Sequence, residues 1–439
     1  MTATELSQET AHAPGTLVFL GTYTDYSVLP HYPYGTPSGE NHGLVVARFN
    51  HGKLLPLRTV KCLNPAFMKY HPYLNVLYVL SECIDRNGYL TAYSVDGRTG
   101  ELSELGRVDM TGKSTCYISL DKGARHAVIT NYWDGMLNVV QLDERTGAPL
   151  GVVQSHQQTR RATWRQVQDR ADHMANRQDG PHAHCNVFHP NYRWVFVPDL
   201  GDNCIHQYGY KDGRLTPQAH VPLAPGDGPR HFVFHPKLPV AFSGCELGSR
   251  LQVFSVDDSN PDEVRPRITP LESHPTLPEG FTATNYVGEI KVDAEGRFVY
   301  VSNRGHNSIA VFEVDQATGR VTRVAIEDTL GKTPRHFGLS PCGRFAVVGD
   351  QDSDNVKTFS VCGKTGRLAP VAGADLALNS PNFVLFVRPH PEARVVHPTL
   401  SGLAASVMAA ASHAASGHEV EHTAEEGILA SPTAMVACS

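Results

Sequence analysis

One motif recurs about seven times along this chain, and that repetition constrains the fold more than any other feature. Each copy opens with a Pro and a polar residue and runs through a short β-rich stretch. It then turns on His-Pro or a Gly, and a second β-rich stretch ends in a polar triplet. The clearest copy begins Pro229-Arg230-His231, turns at His235-Pro236 and ends Gly244-Cys245-Glu246-Leu247. Another begins Pro334-Arg335-His336 and ends Gly349-Asp350-Gln351. Repeats of roughly fifty residues built of short strands mean a β-propeller, whose rim is rebuilt in every blade.

The ends of the second strands form a column: Gly21-Thr22-Tyr23, Ser81-Glu82-Cys83, Asn131-Tyr132-Trp133, Asp199-Leu200-Gly201, Cys245-Glu246-Leu247, Asn303-Arg304-Gly305 and Asp350-Gln351-Asp352. A third strand follows several of them, as in Leu251-Gln252-Val253-Phe254. A turn such as Asp143-Glu144-Arg145-Thr146-Gly147 or Asp315-Gln316-Ala317-Thr318-Gly319 comes next. Asp and Thr side chains bond the turn backbone and Gly supplies a positive φ. A short outer strand completes four antiparallel strands per blade. The starts of the first strands form a second column, from Asn64-Pro65-Ala66-Phe67 to Pro381-Asn382-Phe383. The last of these lacks a second strand, and the run Thr16 to Gly21 lacks a first. Pairing the two closes the ring and removes open sheet edges. The expectation is an all-β, seven-bladed propeller over residues 16–390, sealed by its N- and C-terminal strands.

Composition agrees with this reading. The chain has 439 residues with 38 Gly, 30 Pro and 41% hydrophobic residues, enough for a large all-β core. A formal net charge of −6 argues against a general binder of nucleic acid or anionic membrane. No stretch is long and apolar enough to span a bilayer, and the first twenty residues carry no basic and apolar leader pattern. The nine Cys fall singly, with no Cys-x-x-Cys pair, which reads as reduced thiols in a cytoplasmic protein. Three segments stand outside the repeat: a flexible N-terminus (1–15), a polar Arg-rich insertion (155–180) and a low-complexity tail (391–439). The insertion reads as a solvated loop or as a lid over the rim. The tail reads as mobile and dispensable. A monomer is expected.

The first two strands of a blade form a hairpin, so the start of one and the end of the next share an edge. That predicts Arg230 beside Glu246, Glu289 beside Arg304 and Arg335 beside Gln351. One rim then gathers His182, His184, Arg230, His231, Glu246, Glu289, Arg304, Arg335 and His336, with Glu82 and Tyr132 on other blades. No ordinary structural need calls for three Arg and several His at equivalent strand ends. Arg forks bind phosphate or carboxylate bidentately, and a Glu and a His can share proton transfers.

The pattern resembles the lactonase family of seven-bladed propellers, which holds 6-phosphogluconolactonases and carboxymuconate cyclases. The residues that carry the resemblance include Gly21-Thr22-Tyr23-Thr24, Ser81-Glu82, Thr130-Asn131-Tyr132, Pro181-His182-Ala183-His184, Asp199-Leu200-Gly201-Asp202, Pro225 to His231, Glu246-Leu247, Val301 to Gly305 and Thr333-Pro334-Arg335. The resemblance implies a metal-independent enzyme without cofactor, whose channel uses His182, Arg230, Glu246 and Arg304 as catalytic residues. Glu82, Tyr132, His184, His231, Glu289, Arg335 and His336 would line the substrate. The long insertion, the tail and the loop Asp25–Asn41 depart from the family pattern.

Other readings stay open for these residues. Arg230 could simply pair with Glu246 between blades. His182 and His184, two apart, could join His231 or His336 around a metal, although no carboxylate ligand is obviously placed. Asp199, Asn131, Asn303 and Asp350 read as caps of strand ends. Cys83, Cys116 and Cys245 lie near the rim without a base to activate them. The leading function is hydrolysis of a sugar lactone, most simply 6-phosphogluconolactone, with a small anionic lactone or carboxylate as the substrate. A muconate-type cyclase uses the same anion clamp and proton transfer in the lactonising direction. A non-enzymatic peptide scaffold would more plausibly carry aromatic and mixed polar groups on an open rim.

Overall fold

The computed structural model describes residues 15–29, 43–159, 177–259 and 265–391, which form seven antiparallel sheets. Most of the predicted flexible N-terminus, the greater part of the loop after Asp25, the middle of the insertion and the tail beyond Pro391 lie outside the described residues.

Six sheets are hairpin meanders in chain order, such as Pro229–Phe234, Val240–Cys245, Arg250–Val256 and Ile268–Pro275 in the fifth blade. The remaining sheet is the seam. Pro381–Val387 pairs antiparallel with Leu17–Thr22, which leads on to Leu44–Asn50 and Lys53–Val60. The ring therefore closes by the pairing that the two incomplete repeats predict. In blade 4 the first strand shrinks to Val187–Phe188, preceded by a single bridge between Ala183 and Asp199. The outer strand of blade 3 runs on to Gln157, so the departure from the repeat starts after the first residues of the predicted insertion.

Strand position explains sequence pattern. The second strands Leu17–Thr22, Val76–Ser81, Trp194–Asp199 and Val240–Cys245 are buried at every residue. Both of their faces pack on neighbouring blades, so they read as continuous apolar runs rather than alternations. Outer strands such as Pro149–Gln157 meet water on one face and carry no such run. Between blades 4 and 5, Phe196 stacks on Phe232 with ring centroids 5.7 Å apart, and Phe254 and Trp194 fill the same layer. Burying one such aromatic side chain stabilises the fold by about 2–3 kcal/mol. Two blade contacts add a directed bond: Tyr78 Oη donates to the Gly147 carbonyl at 2.8 Å, and Tyr300 Oη to that of Gly366 at 3.0 Å.

Those two carbonyls belong to the repeated Thr-Gly turns, which open with Asp143 in blade 3 and with Cys362 in blade 7. In the turn of blade 6, Asp315 Oδ1 accepts the amides of Ala317 and Thr318, and Gly319 closes the turn at φ +72°. A Cβ on Gly319 would stand 2.5 Å from Val240 Cγ1 in the preceding blade. Backbone strain and blade contact therefore both oppose a side chain there. Gly319→Ala should lower stability by about 2 kcal/mol, read as a reduced midpoint in urea unfolding with an unchanged slope.

Candidate active site

In five blades the inner strand is built to turn consecutive residues toward the channel. At the rim the first strand carries one residue more than its partner. Pro229 faces Cys245 and His231 faces Gly244, leaving Arg230 unpaired between them. The same bulge leaves out Ala66, Cys116, Arg335 and Asn382 in four other blades. A bulge breaks the strand's two-residue alternation, so neighbouring side chains can share one face. Arg230 and His231 do so, with Arg230 Nη1 3.0 Å from His231 Nε2. The residue that leads into each of these strands sits in the left-handed region: Asn64, Ser114, Gly228, Thr333 and Ser380, at φ +37° to +58°. Its carbonyl accepts the amide at the end of the second strand, from Glu82, Tyr132, Glu246, Gln351 and Tyr23 in turn, at 2.8–3.1 Å.

Glu246 stands at the centre of the rim and is 1% exposed. Its Oε2 lies 2.9 Å from Arg230 Nε and 2.8 Å from Arg304 Nη2, and its Oε1 accepts from Arg177 Nη2 at 2.5 Å. Burial alone would raise its pKa, but Arg304, Arg177 and Arg230 hold it well below the carboxylate range. Arg177 Nε also donates to Tyr132 Oη at 3.2 Å. The ring of Tyr132 stacks on His182, with centroids 5.0 Å apart, and meets His184 edge-on at 5.1 Å. His182 Nδ1 faces the Tyr132 carbonyl at 3.1 Å, and Nε2 lies 2.8 Å from Asp179 Oδ1. A carbonyl only accepts, so Nδ1 carries a proton, while Nε2 is engaged by the exposed Asp179 carboxylate.

A second layer of charge lies deeper. Glu289 Oε2 is 3.0 Å from both His231 Nδ1 and His336 Nε2, while Oε1 is 3.1 Å from Lys291 Nζ. Burial opposes the Glu289 charge, yet Lys291 and the two imidazoles keep it well below the usual range. Glu82 accepts from Tyr23 Oη at 2.8 Å and from Ser114 Oγ at 2.6 Å. The Arg335 guanidinium sits over the Tyr23 ring, 5.3 Å from its centroid. Glu82, His184, Arg230, His231, Arg335 and His336 border a cavity of about 20 Å³, the size of roughly one water. A much larger cavity, about 760 Å³, lies among Tyr73, Lys122, Lys291 and Arg297. The converging charged groups are at the rim, where Arg177 covers Glu246, so chemistry rather than volume marks the site.

The model of the lactonase, 7-bladed beta-propeller family matches residues 17–386. The chain belongs to this family. The 6-phosphogluconolactonase of Bacillus subtilis is 33% identical over 286 residues, spanning 65% of this chain and 77% of that one. The 6-phosphogluconolactonase of Formosa agariphila is 24% identical over 337 residues, spanning 74% and 87%. Among solved structures, the periplasmic gluconolactonase of Pseudomonas aeruginosa superposes with a TM-score of 0.73 at 29% identity, covering 85% of this chain and 99% of that one.

In this lactonase-family channel the sequence-predicted residues come together, with two corrections. Glu289 is not beside Arg304. In blade 6 the register jumps from Val287 to Ile290, which drops Glu289 to the level of His231 and His336, while Arg304 reaches Glu246 and the Val287 carbonyl. Arg335 is not engaged with Gln351, whose amide bonds Asp352; Arg335 turns across to Tyr23. Asp199, Asn131 and Asn303 do cap strand ends, bonding His182 N, Thr115 Oγ1 and Thr276 Oγ1 respectively. The Cys116 thiol contacts the His184 carbonyl at 3.5 Å and is pushed up by burial, which leaves it inert. Three residues escaped the sequence reading of the site. Arg177 and Asp179 lie in the insertion, where no repeat register marks them. Lys291 could have been found, because it stands two residues after Glu289 on the same strand face.

Burial pushes His231 and His336 each down to about 4, although Glu289 opposes the shift. In the unfolded chain an imidazole titrates near 6.5. Between these values the unfolded chain binds more protons, so this stability is complete above pH about 6.5 and is lost as pH falls toward 4. Each ring should remove on the order of 2–3 kcal/mol over that window. Tm measured from pH 7 to 4 should fall accordingly, and His336→Gln should flatten the slope. An unchanged slope in the variant would exclude this ring as the source.

Proposed function

We propose that this chain hydrolyses a sugar lactone bearing an anionic group, most simply 6-phosphogluconolactone. The observation that carries this reading is a single buried carboxylate, Glu246, gripped by Arg177, Arg230 and Arg304 on the rim that also holds the His182 imidazole. The lactonase names of its relatives support the reaction class.

In this reading Glu246 is an anchor for guanidiniums rather than the base, because its charge is already stabilised. Arg230 and Arg304, fixed on its Oε2, present remaining N–H groups to the lactone carbonyl and to the oxyanion that forms as water attacks. Donors fixed in advance cost no reorganisation at that moment. Once substrate and water displace the exposed Asp179 carboxylate from His182 Nε2, that nitrogen takes the proton from the attacking water and returns it to the ring oxygen as the ester bond breaks. The products are a hydroxy acid carboxylate and one released proton. Arg177, arriving from the insertion, exchanges its contact with Glu246 for the substrate phosphate. Nothing in this sequence of steps requires a metal in the channel. A reducing compartment fits the eight described Cys, none of which forms a disulfide.

Proton release at constant pH, with freshly generated 6-phosphoglucono-δ-lactone and EDTA present, tests this directly. Turnover above the spontaneous rate is expected, and its absence would sink the reading and turn attention to muconate-type acids. Arg304→Gln should cut kcat/KM by about 10²–10³-fold while circular dichroism stays native, since Glu246 keeps two guanidinium partners. Arg177→Ala should instead raise KM for the phosphorylated lactone by about tenfold, the value of one charged contact near 1.4 kcal/mol, and leave glucono-δ-lactone unaffected. Equal effects on both substrates would remove Arg177 from phosphate binding.

A further inference from the structure

Behind His182, on the face of blade 4 away from the channel chemistry, a second group of donors converges. Asp202 lies in the turn after the strand Trp194–Asp199, and Cys204 and His206 follow on the next strand, Cys204–Lys211. Cys204 and His206, two apart on that strand, share a face, and the turn brings the Asp202 carboxylate to the same donors. His206 Nε2 lies 3.3 Å from Asp202 Oδ2 and 3.4 Å from Cys204 Sγ, and one donor atom from each residue falls within 4.8 Å of the others. Asp199 adds Oδ2 at 4.0 Å from the same nitrogen.

Two observations distinguish this group from an ordinary Asp–His pair. First, the Asp199 and Asp202 side chains are both fully shielded from water (0% exposed), yet three of their four oxygens form no hydrogen bond. The fourth, Asp199 Oδ1, accepts the amides of His182 and Asp202 at 2.8 and 2.7 Å. Two buried carboxylates facing one imidazole leave negative charge in low dielectric without enough partners, an arrangement that a bound cation satisfies. Second, the two separations measured from His206 Nε2 to Asp202 and Cys204 suit tetrahedral coordination. Zinc bond lengths place N and O donors about 3.4 Å apart and N and S donors about 3.6 Å apart around one ion. The observed separations are within a few tenths of an ångström of both.

We propose that Asp202, Cys204 and His206, with Asp199 as the nearest fourth donor, form a zinc(II) site on blade 4 distinct from the arginine channel. One thiolate, one imidazole and carboxylate oxygen select zinc over magnesium or calcium, which take oxygen alone. The ion braces Asp199, and through it the backbone of His182, without reaching the reacting atoms. Removing it therefore lowers stability while the folded protein still turns over.

The test uses the full chain, stripped by chelator under reducing conditions and titrated with cobalt(II) as a spectroscopic probe, then with zinc(II). One equivalent of cobalt should give the strong visible bands of a tetrahedral ion and a near-ultraviolet thiolate-to-metal charge-transfer band, both displaced by zinc. Zinc should raise Tm by roughly 3–8 °C. Cys204→Ser should abolish the charge-transfer band, and His206→Gln should weaken binding at least about tenfold. Cys362→Ser, at an exposed thiol, should change neither. Should Cys204→Ser fail to fold, Asp202→Asn and the wild-type cobalt spectrum decide the matter. A weak octahedral spectrum, a charge-transfer band that survives Cys204→Ser, or a Tm indifferent to zinc would each overturn the assignment.

Discussion

A left-handed residue followed by a bulge, at the mouth of the inner strand, is the constraint from which the rest of the site derives. Five blades use it, and four of them place a residue other than glycine at positive φ. Such a conformation costs about 1–2 kcal/mol per residue, and for β-branched Thr333 it is a distinct outlier. Each carbonyl is repaid by the amide at the end of the second strand. What the strain secures is direction. Without the bulge, Arg230 and His231 would face opposite sides of their sheet, and so would Arg335 and His336.

The charges so gathered fall into two levels with different characters. At the rim, three guanidiniums share one carboxylate, an excess of positive charge suited to an incoming anion. Below it, Glu289 is matched by Lys291 and by two imidazoles that stay neutral at physiological pH. The lower level is internally balanced and holds the wall; the upper one is left to be completed by a ligand. Buried ion pairs contribute little net stability, because desolvation offsets their attraction. Fold stability must therefore come from the aromatic and aliphatic layers between blades, such as Phe196 on Phe232, which frees the rim for function.

Much of this was legible in the sequence because a propeller repeats its geometry. The second-strand column placed Glu82, Tyr132, Glu246 and Arg304 at one edge, and the seam followed from two incomplete repeats. What escaped lies where the repeat is broken or shifted. In blade 1 the residue bonded like Glu82 and Glu246 is Tyr23, one place beyond the centre of its triplet, because Pro381 pairs with Thr22 where Pro65 pairs with Ser81 and Pro229 with Cys245. Glu289 looked like a rim residue until the blade 6 bulge moved it inward. Arg177 had no equivalent in any other blade to align with. The Asp199 cap was legible, but its second oxygen and the convergence with His206 depend on side-chain direction, which strand counting does not supply.

The seam has one more consequence. Leu17 lies opposite Val387, so the polypeptide joins and leaves the ring at the same point, and the strand between Leu17 and Thr22 carries the chain from there up to the rim. Beyond the seam, His390 is pinned to Asn75 at that lower edge, its amide donating to Asn75 Oδ1 at 2.8 Å. The ring is thus a cassette with both attachment points on its base. A domain, tag or solid support joined at Thr16 or His390 would be anchored beneath the barrel of blades, with the arginine mouth facing outward.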